Sequence, residues 1–152
     1  MPPIALLLSV LGLIPFVFFA FGAVGPMPET SERMLVSLID YSALLLAFGG
    51  GLHWGLALMP GAVRPGVRFG AGVLPLVVAW VGLIVAQMVS PSLALVVLVV
   101  GYLATVLTEH RAAQRQFVPS GYVWIHWGFS IVAVVMMVMV LVLREVGQTI
   151  VF

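Results

Sequence analysis

Between Asp40 and Gly55 the chain reads DYSALLLAFGGGLHWG, which places a carboxylate, a tyrosine, three consecutive glycines, a histidine and a tryptophan in one apolar run. A carboxylate or an imidazole inside an apolar segment could move protons or hold a ligand. Glycines next to an imidazole leave room for a flat molecule or a neighbouring backbone. At about 100° per residue a helix divides this stretch into two faces. Ala43, Ala47, Gly51 and Gly55 form one ridge of small residues, the pattern that lets membrane helices approach closely. Asp40 lies on the same side and is expected to point into the bundle, with Ser37, Arg33, Tyr41 or Arg144 as partner. It reads as a packing lock, as a proton-carrying or ligand-binding carboxylate, or as a side chain snorkelling to water. His53 follows about 13 residues later, roughly 220° round the helix, so it cannot pair locally with Asp40. It shares its face with Gly49 and Gly50, which makes a notch beside the ring.

A second imidazole, His126, is expected at a depth similar to that of His53, each a few residues from the same end of its span. Two histidines at matched depth on different helices are what axial haem ligation requires. Contact with a quinone or lipid headgroup, and ordinary hydrogen bonding between helices, are the other readings. On its own helix His126 aligns with Ser130, Ala133 and Met137, a face expected to turn inward. His110 lies beside Glu109 and Arg111 in a segment that reads as a wet connection. No catalytic triad spacing, phosphate loop or paired carboxylates appear, so no catalytic residue is named. The absence of cysteine removes disulfides, zinc-thiolate sites and iron–sulfur clusters on this chain. Glu29 and Glu32 read as a solvated helix start, and Met136, Met137 and Met139 as packing or lipid-facing surface. No metal site is expected. A chain without a cofactor is the first reading, and haem b or a quinone at His53, His126, Gly49 and Gly50 the alternative.

These groups must be positioned by membrane helices. Of 152 residues 63% are hydrophobic and 7% charged, against roughly 25% charged in soluble domains. The six basic residues are all arginine and the acidic residues number five, too few to wet a globule and too sparse to bind nucleic acid. Apolar runs of about 17 to 25 residues mark spans. They fall at about residues 4–24, 34–59, 70–89, 93–107 and 122–143. The expected fold is all-α: an integral membrane protein, a bundle of five transmembrane helices in a single domain over residues 1–152.

The first run has no basic residue before it and is too long for a signal peptide, so it reads as a retained span. Pro15 is expected to kink it, and Ala5, Ser9 and Gly12 mark its packing face. Thr30 or Ser31 is a candidate cap for span 2. Ser90-Pro91-Ser92 is short enough to force a helical hairpin between spans 3 and 4. Arg64, Arg68, Arg111 and Arg115 lie on one side and Arg33 and Arg144 on the other. The positive-inside rule then puts the N-terminus on the cytoplasmic or matrix side and the C-terminus outside. Tyr122, Trp124 and Trp127 read as an aromatic belt at the inner interface.

Tyr41 to Leu58 resembles the signature segment of a family, domain of unknown function 3429. It comprises small multi-pass proteins of proteobacteria and mitochondria, including the vertebrate transmembrane protein 69. Gly12-Leu-Ile-Pro15, Gly72-Val-Leu-Pro75 with Ala79-Trp80, and the polar exit of span 4 are similar too. The family usually follows the proline before span 5 with a Trp-Tyr then Leu-Arg pattern. Here that stretch reads Pro119-Ser-Gly-Tyr-Val-Trp-Ile-His126-Trp127, which sets His126 apart. The resemblance implies a five-helix protein of an energy-coupling membrane and brings no known activity.

Few ionisable groups, minimal loops and a packing ridge point first to a non-catalytic accessory or assembly subunit. Its partners would be membrane lipids and other subunits of a respiratory or photosynthetic inner-membrane complex. The alternatives are a haem- or quinone-binding redox protein built on His53 and His126, and a small transporter with Asp40 as proton carrier.

Overall fold

The computed structural model describes residues 3–62, 64–114 and 120–147. The described residues form five helices and no strand: α1 (Pro3–Gly22), α2 (Pro28–Ala57), α3 (Pro65–Met88), α4 (Pro91–Gln114) and α5 (Ser120–Glu145). Four of them, α2 to α5, contain stretches long and apolar enough to cross a membrane, α5 over Val123–Glu145. Large apolar side chains such as Leu44, Phe48, Trp80 and Trp124 remain exposed along the outer faces. This suits a protein whose solvent on those faces is lipid, since an apolar exterior of this extent in water would drive association.

Four of the helices begin on proline: Pro28, Pro65 and Pro91 open α2, α3 and α4, and Pro3 opens α1. Proline suits the first turn because its missing N–H has no partner there in any case. For α2 this moves the start ahead of the expected span. Thr30 and Ser31 lie inside the helix, Met27 is the cap residue, and no side chain caps it. Ser31 instead donates to the Ala23 carbonyl at 2.6 Å. Arg144, from the far end of the chain, reaches the same place. It donates to the Ala23 carbonyl and to Ser31 Oγ, each at 2.9 Å, and pairs with Glu32. One cation thus ties α5 to the α1–α2 corner.

The core runs down the middle of the bundle, with Phe16, Leu38, Leu46, Leu98, Tyr102 and Met137 all buried. Two phenols stitch helices together through carbonyls. Tyr41 donates to Gly12 at 2.8 Å, and Tyr102 to Ser42 at 3.0 Å. In an apolar interior such bonds find little competition, and each contributes about 1 kcal/mol. On α5 the buried positions include Ser130, Ala133, Met137 and Val140, with Met136 and Met139 packed partly against the core.

The tightest approach joins α2 to α3. A Cβ added at Gly72 would lie 2.6 Å from the Gly50 carbonyl oxygen, and one added at Gly50 would run into the Gly72 carbonyl. Backbone thus meets backbone here, which glycine alone permits.

This corrects the expected packing ridge. Ala43 is buried and Ala47 half-buried, but Gly51 and Gly55 are exposed, with nothing within 4 Å of an added Cβ. Asp40 is exposed on that same outward face. Three of its four expected partners are engaged elsewhere: Ser37 with the Arg33 carbonyl, Tyr41 with Gly12, Arg144 with Glu32. The face turned inward is the one bearing Ser42, Leu46, Gly49, Gly50 and His53. Span 4 is also longer than its hydropathy marks, since α4 runs on to Gln114. Arg115 and Pro119 lie outside the described residues, as do the side chains of Ala5 and Tyr122.

Candidate functional site

The extension of α4 carries Glu109 into the bundle. Leu98, Tyr102, Thr105 and Glu109 follow one another at spacings of three or four and are all buried, so they form one helix face. Glu109 is 0% exposed. An isolated ionised carboxylate in such a place would cost several kcal/mol, so it must be paired.

Two imidazoles do the pairing. His53 Nε2 of α2 lies 3.5 Å from Glu109 Oε1, and His126 Nδ1 of α5 contacts Oε2. Each carboxylate oxygen therefore addresses a different ring on a different helix. The side chain of His53 is 7% exposed and that of His126 15%. The three residues lie within about two turns of the ends of their helices, all at the same end of the bundle.

Glycine makes the room. A Cβ at Gly49 would sit 3.3 Å from His126 Nε2, tighter than most contacts of this kind. Gly50 lets α3 close in on the other side, where Trp54 donates to the Phe69 carbonyl at 3.1 Å. Arg68, at the start of α3, donates to the Leu56 carbonyl at 3.2 Å. It thereby satisfies one of the acceptors that the end of α2 leaves open. His110 is exposed, with its ring centroid 5.4 Å from that of Trp127. Trp124 is 76% exposed.

Two spaces adjoin the cluster. A cavity of roughly 410 Å³ lies between α1, α2, α4 and α5. Its walls include Gly12, Leu45, Phe48, Tyr102, His126 and Phe129. A smaller one of roughly 70 Å³ lies between α2, α3 and α4, with His53, Pro75, Gly101, Thr105 and Thr108 in its wall. His126 faces the first and His53 the second.

Both histidines singled out in the sequence thus enter one cluster, together with Gly49 and Gly50. The residue that joins them, Glu109, lies in the segment whose sequence reads as a wet connection. Asp40 takes no part, and it is not among the residues lining either cavity, which removes the basis for an interior proton carrier at that position.

Axial haem ligation by His53 and His126 does not fit. The Glu109 carboxylate occupies the space between the rings where a metal would sit, and it engages one nitrogen of each. The described residues hold no group of three or more His, Cys, Asp or Glu side chains arranged to bind a metal ion.

Fold and site together define a helical membrane protein with a carboxylate and two imidazoles buried at one end of the bundle. The chain belongs to the family described as "Protein of unknown function (DUF3429)", whose model matches residues 1–142. No curated protein and no solved structure matches it.

Proposed function

We propose that the chain crosses the membrane five times and binds a small apolar ring compound of the quinone class in the larger cavity. The carrying observation is a cavity of roughly 410 Å³, apolar but for a few groups, with His126 in its wall and Glu109 behind the ring. Ligand sites commonly measure about 300–1,000 Å³ and orient their occupant with a few polar groups on apolar walls. Phe48, Tyr102 and Phe129 offer flat surfaces to a ring, and His126 offers an edge to a carbonyl or hydroxyl. Phe48 and Leu8 are 66% and 61% exposed on the outer surface, so an apolar ligand would enter from the bilayer. By the positive-inside rule the end bearing the cluster is cytoplasmic or matrix-side.

Titrating a short-tailed benzoquinone into the protein in lipid nanodiscs should quench tryptophan fluorescence saturably, because Trp127 adjoins His126 in the chain. His126→Ala, or Leu45→Trp to fill the cavity, should weaken binding at least about tenfold, or about 1.4 kcal/mol. Non-saturable quenching, or equal affinity in both variants, would sink this reading.

A second reading, the accessory subunit of a respiratory or photosynthetic complex, draws on the outward face of α2. Asp40 and the small residues Gly51 and Gly55 face away from the bundle. A charged side chain turned to hydrocarbon costs about 2.5–3.5 kcal/mol, and a partner helix would remove that cost. A photo-crosslinker placed at Gly55 should then trap another membrane protein in native membranes. Crosslinks to lipid alone count against it.

A further inference from the structure

Glu109 stands between two imidazoles that open onto different spaces. His126 lines the cavity of roughly 410 Å³, and His53 lines the separate one of roughly 70 Å³. With the carboxylate ionised and both rings neutral, the buried cluster would carry one negative charge. One added proton brings the sum to zero, the state that an apolar surrounding favours. That proton has three places to reside: on His53, on Glu109 or on His126. The total charge of the cluster is the same in all three.

We propose that His53, Glu109 and His126 hold one exchangeable proton in common and pass it between the two cavities. The transfer runs in two steps and consumes nothing. His53, as the imidazolium, gives its Nε2 proton to Glu109 Oε1, leaving a neutral ring and a neutral acid. The carboxyl group then turns about its Cγ–Cδ bond and presents the proton to the bare Nδ1 of His126, whose neutral ring carries its hydrogen on Nε2. The ring becomes the imidazolium as Glu109 returns to the carboxylate. The 3.5 Å separation from His53 is the longer of the two contacts and closes during the first step.

Helix α1 has no ionisable side chain. On α3 the partly buried Arg68 donates to the Leu56 carbonyl at 3.2 Å. On α4, Tyr102 donates to Ser42, while His110 faces outward beside Gln114. On the same helix the exposed Arg111 follows Glu109 by two residues. On α5 the nearest charged residue in the chain is Arg144, at the opposite end of the bundle with Glu32.

The test is nitrogen-15 magnetic resonance of histidine-labelled protein in lipid nanodiscs, free of ligand, across pH, with His110→Asn removing the third ring. The rings of His53 and His126 should change together at one midpoint and take up one proton between them, not two. His53→Asn should displace the His126 curve. Glu109→Gln should uncouple the rings, and Glu109→Asp should restore part of the coupling. Two rings that each take a full proton at unrelated midpoints, with the His126 curve unmoved by His53→Asn, would overturn the proposal. If Glu109→Gln fails to fold, the wild-type curves and His53→Asn still decide. Since no ligand is present, a negative result leaves the quinone reading standing, and absent quinone binding leaves this one standing.

Discussion

Replacing Glu109 with alanine should destabilise the folded bundle by about 3 kcal/mol, read from unfolding in mixed micelles against wild type. The carboxylate is fully buried and each of its oxygens answers an imidazole. Alanine leaves both rings without that partner, and an orphaned buried polar group costs about 1–3 kcal/mol. It also leaves a void where the side chain was. Breaking a buried pair typically costs about 3–5 kcal/mol. The lower end applies because helices that separate within a membrane let their polar groups find other partners. Glu109→Gln keeps the volume and one acceptor, so it should lose less than half as much. Replacing all three members together, with leucine at 53 and 109 and phenylalanine at 126, should recover most of the loss, because no polar group is then stranded. That recovery would mark a cluster kept for its chemistry. If Glu109→Ala unfolds like wild type, the carboxylate is not held between the rings as described.

The helical membrane architecture was legible because apolar runs of span length are hard to arrange in any other way. The faces were not. In a soluble helix polarity marks the outside, but both faces of α2 are apolar, so hydrophobic patterning separates them poorly. Small residues are an inward mark in a membrane helix, yet Gly51 and Gly55 face away. The inward face carries a different repeat, Leu35, Ile39, Ser42, Leu46, Gly50, His53 and Ala57, at spacings of three and four. Its two polar members, Ser42 and His53, were the available sign, since a buried polar group in a span implies a partner. Glu109 was missed for a related reason. Thr108 to Arg111 reads as a polar exit, and hydropathy ends the span at Leu107. Carrying the buried face of Leu98, Tyr102 and Thr105 one turn further lands on Glu109. His53 and His126 were found by their matched depth, but the group between them is what makes them a site.

Adjacent glycines on α2 should respond to alanine with opposite signs. At Gly50 the new methyl would fall on the Gly72 carbonyl and within 3.3 Å of Pro75 Cβ. A backbone carbonyl inside a helix cannot swing aside, so α2 and α3 must separate. Overpacking of this kind costs about 1–3 kcal/mol, more than the roughly 1 kcal/mol by which alanine favours a helix over glycine. At Gly51 an added Cβ meets nothing within 4 Å. The helix preference then acts alone, and the variant should be neutral or more stable by up to about 1 kcal/mol. Unfolding both variants in one micelle system makes the comparison. A larger loss at Gly51 than at Gly50 would mean that the ridge from Ala43 to Gly55 faces inward after all. The shift at Gly50 should also reach the cluster. His53 follows Gly50 by one turn, and moving α2 away from α3 changes where His53 stands against Glu109. Gly50→Ala should therefore weaken the coupled titration of the two rings in the molecules that still fold, while Gly51→Ala leaves it intact. A packing defect and a lost proton would then share one cause, the backbone contact between Gly50 and Gly72.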